Sequence, residues 1–117
     1  MTITQTKSEF LTDALVEQIN NKEKVNAIDS GRTTYNQFEY EVGRKYIKVW
    51  SYLVSQGERL CGRSCYMFVD KNTGAVYKPA SYKAPAKGIR FYIDFLTDHP
   101  EICDPYGSFL YVRWGYC

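Results

Sequence analysis

Histidine is almost missing from this chain: His99, followed by Pro100, is the only one in 117 residues. Without a second imidazole there is no H-x-x-x-H pair for zinc. None of the G-x-S-x-G, P-loop or G-x-G-x-x-G patterns occurs either. Long apolar runs are missing too. Nothing approaches the roughly 18 residues of a membrane-spanning helix, and residues 1–10 are too polar for a secretory signal. This points to a cytoplasmic chain whose four cysteines, Cys61, Cys65, Cys103 and Cys117, stay reduced. Their spacing lacks the paired short gaps of a zinc ribbon, so small buried hydrophobes are the simpler reading. Charge of one sign is also scarce. Lys and Arg number 15 against 13 Asp and Glu, and a net charge of +2 argues against a nucleic-acid polymer as the partner. Asp94 and Asp98 can share a helical face, but helix capping or solvation accounts for such an isolated pair. The chain therefore reads as a binder rather than an enzyme, with no cofactor.

What the sequence does hold is rings. Aromatic residues make up 16% of it, with 11 Tyr, 6 Phe and 2 Trp. Tyrosine suits surfaces that are half dry and half wet, such as interfaces and ligand pockets. The length fits one domain, residues 1–117. Leu11, Leu15 and Ile19 predict a helix from Ser8 to about Asn20, and polar residues 21–32 predict a turn region. From Tyr35 through Phe38, Val42, Tyr46, Val49, Trp50 and Leu53 the spacing predicts a long amphipathic helix over 34–56. Thr34 and Gln37 resemble a capping box, and Gly57 a helix-ending residue. Then the pattern changes. Residues 65–69 and 75–77 are β-rich and joined by Asp70-Lys71-Asn72-Thr73-Gly74, a hairpin with Gly where a positive φ is required. Ile89, Phe91, Ile93 and Phe95 alternate as in a strand, and Ser108 to Trp114 predicts another. The expected class is α+β: N-terminal helices, one of them long, followed by a small antiparallel sheet.

The segment from Lys78 to Arg90 is the most unusual. Pro79 and Pro85 stiffen it, which lowers the entropy lost on binding. Lys83, Lys87 and Arg90 can neutralise an anion, Tyr82 can lie against a ring, and Gly88 can open an anion-binding nest. Phosphate on cations and base on an aromatic fit a nucleotide, and a solvated loop kept soluble by its lysines is the equally open alternative. Arg113 adds a planar fork for phosphate on the face of Phe109 and Tyr111. Arg59 and Arg63 fall at the expected helix–sheet junction, where ligand contact and compensation of the helix dipole are equally open roles.

The run from Asp70 through Thr73-Gly74, Val76-Tyr77-Lys78-Pro79-Ala80-Ser81-Tyr82-Lys83-Ala84-Pro85-Ala86-Lys87-Gly88 to Arg90 resembles a block in small phage proteins. Tyr106-Gly107, Tyr111 and Arg113 resemble a second block. Together they resemble the first Thoeris anti-defence family. The resemblance implies a non-catalytic sponge that sequesters cyclic ADP-ribose isomers, and cyclic di- or trinucleotides in some members. Such a sponge inhibits host defence such as Thoeris or CBASS from the host cytoplasm. It also implies a homodimer or a larger ring of dimers. Carried over by position, Tyr82 would stack on a base, Arg113 would hold phosphate and Arg59 would be a second phosphate ligand. Tyr92 stands where the family carries Asn, so a single hydroxyl replaces a two-way amide at that edge. Two other functions fit the residues: a protein-directed inhibitor of a host nuclease or polymerase, and a single-stranded nucleic-acid-binding module.

Overall fold

The computed structural model describes residues 6–81 and 83–111. The chain enters its first helix through a capping box. Glu9 N–H donates to Thr6 Oγ1 and Thr6 N–H donates to Glu9 Oε2, each at 3.1 Å, which satisfies two backbone donors at the helix start. Helix α1 then runs over Lys7–Asp29. It does not stop at Asn20, because the buried stripe of Thr12, Leu15, Val16 and Ile19 continues with Glu23 and Ala27 at helical spacing.

The strands are β1 (Thr34–Val42), β2 (Tyr46–Ser55), β3 (Glu58–Arg59), β4 (Ser64–Asp70), β5 (Ala75–Tyr77) and β6 (Phe91–Tyr92). All neighbours are antiparallel in the order β1-β2-β4-β5-β6, and β3 pairs the far end of β2. Helix α2 (Ile93–Asp98) packs against α1, and two short 3-10 segments follow at Pro100–Ile102 and Ser108–Tyr111. One long N-terminal helix followed by a small antiparallel sheet is the expected α+β class, but the long helix is α1.

The helix expected over 34–56 is a β-hairpin. Its apolar spacing satisfies a helical repeat, yet Ile47 and Val49 also alternate with Tyr46, Lys48 and Trp50, and the strand alternation wins. β-Branched and aromatic residues dominate the run, and they lose least in an extended chain packed on both sides. The Thr34 hydroxyl donates to Ser55 Oγ at 3.1 Å across the ladder instead of capping a helix. Gly57 ends no helix either. Gln56 and Gly57, with φ of 51° and 83°, form the two-residue turn between β2 and β3, and positive φ at both positions is the type I′ hairpin geometry. The turn through Asp70–Gly74 is as expected: Asp70 Oδ1 accepts the N–H of Asn72 and Thr73, and Gly74 has φ 77°.

Leu15, Val16 and Ile19 of α1 pack on Phe38, Ile47, Val49, Met67, Val69 and Val76, and Ile93, Leu96, Phe109 and Leu110 close the core. A β-bulge helps to fill it. Val49 pairs Met67 but Trp50 pairs Cys65, so Tyr66 is the extra residue. Its ring turns inward with Met67 and packs edge-on to Phe38 at 4.7 Å. Residues 89–97 are strand only at 91–92 and then turn into α2. The strand expected over 108–114 is a 3-10 segment as far as Tyr111, and 112–114 lie outside the described residues. Asp104 is the reason: its carboxylate accepts the N–H of Tyr106, Ser108 and Phe109, which folds the backbone into a turn. Burial works against the Asp104 charge, but these donors prevail and hold its pKa below the ordinary carboxylate value.

Candidate functional site

The sheet face turned away from α1 carries alternating rings and charges. Tyr46, Lys48, Trp50 and Tyr52 project from β2, with Phe68 beside them on β4. Phe68 is fully buried, packed edge-on to Tyr46 at 5.8 Å, with Lys48 Nζ 5.7 Å from its ring centre.

Beside this patch lies an ion-pair ladder. Arg59 on β3 donates both terminal nitrogens to Glu39 on β1, at 2.8 and 3.0 Å. Arg63 donates to Glu39 at 2.8 Å and to Glu41 at 2.9 Å. Each guanidinium lies on a ring: Arg59 is 3.9 Å from the Tyr52 centroid and Arg63 is 4.0 Å from that of Trp50. Trp50 Nε1–H donates to Glu41 at 2.6 Å and closes the network. Hydrogen bonding from Arg59, reinforced by Arg63 against a smaller burial penalty, drives the Glu39 pKa down from 4.5 to about 2.

The proline-framed segment folds into a small lobe. Ala86 N–H donates to Lys78 O at 2.8 Å and Ala80 N–H to Ala84 O at 3.0 Å, with a bridge between Pro79 and Pro85. Pro79–Ser81 of this lobe face Trp50, Arg63, Ser64 and Cys65 across a cleft of about 520 Å³. Lys78 Nζ lies 4.7 Å from the Tyr111 ring centre, so the last described turn ends against the root of the lobe.

The residues singled out in the sequence are distributed as follows. Lys83, Lys87 and Gly88 are exposed on the lobe and its return, and Gly88 has φ 101°, the conformation its anion-nest reading requires. Arg90 is half-buried where the segment re-enters the sheet. Its N–H donates to Val76 O at 2.8 Å, and its buried Nε has no hydrogen-bond partner. Arg59 sits in the ladder with its fork occupied by Glu39. Tyr92 is exposed beside a separate cleft of about 290 Å³, lined also by Thr6 and Lys7 at the start of α1 and by Lys71 in the turn between β4 and β5. Tyr82 and Arg113 lie outside the described residues. The sequence reading had no role for Glu39, Glu41 or Tyr52. The signal for them is a period-two pattern, in which Gln37, Glu39 and Glu41 of β1 stand opposite Tyr52, Trp50 and Lys48 of β2.

Two of the thiols are quiet, while Cys61 is exposed. Burial pushes Cys65 up to about 11 and Cys103 up to about 12, so both are protonated at neutral pH. Among the described residues no group of three or more His, Cys, Asp and Glu side chains is placed to hold a metal ion. Nor is any helix among them long and apolar enough to cross a membrane.

Fold and site together define an α+β domain with a charged aromatic sheet face and a proline-framed basic lobe. A family of unknown function, DUF7717, matches residues 2–112, and the chain belongs to it. No curated protein and no solved structure matches the chain.

Proposed function

We propose that the protein is a non-catalytic binder that sequesters a cyclic nucleotide signal, of the cyclic ADP-ribose or cyclic oligonucleotide class. In this reading it is a phage-encoded sponge acting in the host cytoplasm, as a homodimer or a ring of dimers. The observation that carries it is the cleft between Trp50–Arg63 and the lobe. One wall is an aromatic–guanidinium stack, and the other is a backbone stiffened by two prolines. The same segment supplies Lys83, Lys87 and Arg90 for phosphate and the positive-φ Gly88. Tyr82 and Arg113 are assigned by sequence resemblance, as a stacking ring and a phosphate ligand. A sponge must hold its ligand unchanged, so a mass spectrum of small molecules released by heating the purified protein is the test. Intact cyclic nucleotide from protein made in signal-producing cells is expected. Release of only linear or cleaved products would overturn the reading.

The interleaved rings and cations of the outer sheet face favour a second reading, a single-stranded nucleic-acid binder. Its signature is oligonucleotide affinity that falls steeply with salt.

A further inference from the structure

Arg59 and Arg63 carry an orientation that their charge alone does not require. One face of each guanidinium is covered by a ring, Tyr52 or Trp50. The in-plane donors point sideways into carboxylates: Arg59 into both oxygens of Glu39, and Arg63 into Glu39 Oε2 and Glu41 Oε1. The Arg59 side chain is nevertheless 47% exposed and that of Arg63 34%. The opposite, flat face of each plane is the part that remains for a ligand.

We infer that these two planes are stacking platforms for a nucleobase, and that neither arginine is a phosphate ligand. The inference rests on the nucleotide-binding reading and reverses the role that resemblance gives Arg59. Two carboxylates balance the two guanidinium charges within the ladder, and Lys48 Nζ, 5.8 Å from the Trp50 ring centre, is a further cation beside it. A phosphate there would have to displace Glu39 or face its negative charge at close range. A π-face needs no donor. It is attracted by the cation and gains by dispersion, and ring–guanidinium–ring sandwiches use the planarity that lysine lacks. Trp50 and Tyr52 are two residues apart on one side of β2, about 6.6 Å along the strand. Glu39 Oε2 accepts from both arginines, so the planes lie side by side. A surface two planes wide suits the fused rings of a purine better than a single ring.

The test separates base from phosphate. The protein is titrated with adenosine, which has no phosphate, and with ribose 5-phosphate, which has no base. The Trp50 indole N–H signal is followed by NMR. Adenosine is expected to shift it and ribose 5-phosphate to leave it unmoved. Arg59→Lys and Arg63→Lys keep the charge but remove the plane, so each is expected to weaken adenosine binding roughly tenfold, with circular dichroism confirming the fold. Lysine variants that bind adenosine like the parent, or ribose 5-phosphate moving the Trp50 signal, would overturn the inference. If a cyclic dinucleotide binds parent and lysine variants equally, the platforms fall and the nucleotide reading stands. If adenosine binds as expected but no cyclic nucleotide does, the platforms stand and the sponge falls. If nothing binds, both fall.

Discussion

Asn20, in the middle of α1, pairs with the backbone of Phe38 in β1 as a neighbouring strand would. Its Nδ2 donates to Phe38 O at 2.9 Å and its Oδ1 accepts Phe38 N–H at 2.6 Å. Gln37 Nε2 adds bonds to Asn20 O at 3.2 Å and Asn36 O at 2.9 Å. β1 is an edge strand, and an open edge recruits other strands. Two side-chain amides occupy it here. Asn20→Ala is therefore expected to lose about 1–3 kcal/mol of stability, because it leaves edge backbone groups unpaired. Hydrogen exchange at the Phe38 amide should accelerate, and self-association should exceed the parent's in sedimentation. A Phe38 amide as protected as before would contradict this.

The Glu39 carboxylate gives the fold a measurable pH dependence. Its pKa is about 2 in the folded chain against an ordinary 4.5, so its ion pairs contribute fully above the unfolded value. That contribution is lost as pH falls from about 4.5 toward 2. Glu39→Gln is expected to flatten this part of the acid limb in denaturant titrations, while Asp104 continues to contribute its own share. Identical acid limbs for parent and variant would remove Glu39 from the account.

Gly74 is tested by one methyl group. At φ 77° an added Cβ would meet Ile93 Cγ2 at 3.0 Å, in a backbone region that L residues avoid. Gly74→Ala is expected to cost about 1–3 kcal/mol in urea unfolding. A neutral effect would mean that the turn between β4 and β5 is looser than described.

Trp50 serves packing and site together. It is buried on the outer sheet face, bonded to Glu41 and stacked under Arg63. Trp50→Ala is expected to lose about 3–5 kcal/mol as a large-to-small deletion. Trp50→Phe keeps a ring under Arg63 and should retain most of both stability and ligand affinity. If Trp50→Ala is as stable as the parent, the ring is not packed as described.

Local chemistry made some elements legible in the sequence and left others hidden. The Asp70–Gly74 hairpin shows because its cause is local: an Asp side chain holding two N–H groups and a Gly free to take positive φ. The 34–55 hairpin hides because Tyr35, Phe38, Val42, Tyr46, Val49 and Leu53 fit helical spacing while 46–52 also alternate. Its turn at Gly43-Arg44-Lys45 lacks the Asn-Gly signature that would decide the matter. Of the aromatic surplus, Phe38, Tyr66, Phe91 and Phe109 belong to the core, whereas Tyr46 and Trp50 belong to the outer face rather than to one helical stripe. The lobe is visible in its prolines and cations. The Arg–Glu ladder is not, because Arg59 and Glu39 stand 20 residues apart and meet only once β1, β2 and β3 are in register.

Calorimetric titration of the intact protein with cyclic ADP-ribose isomers and cyclic dinucleotides tests the central proposal most directly. Saturable heat with at least one of them, and chromatographic recovery of that ligand unchanged, is the expected result. No heat from any of them, or a ligand recovered as cleavage products, would contradict it.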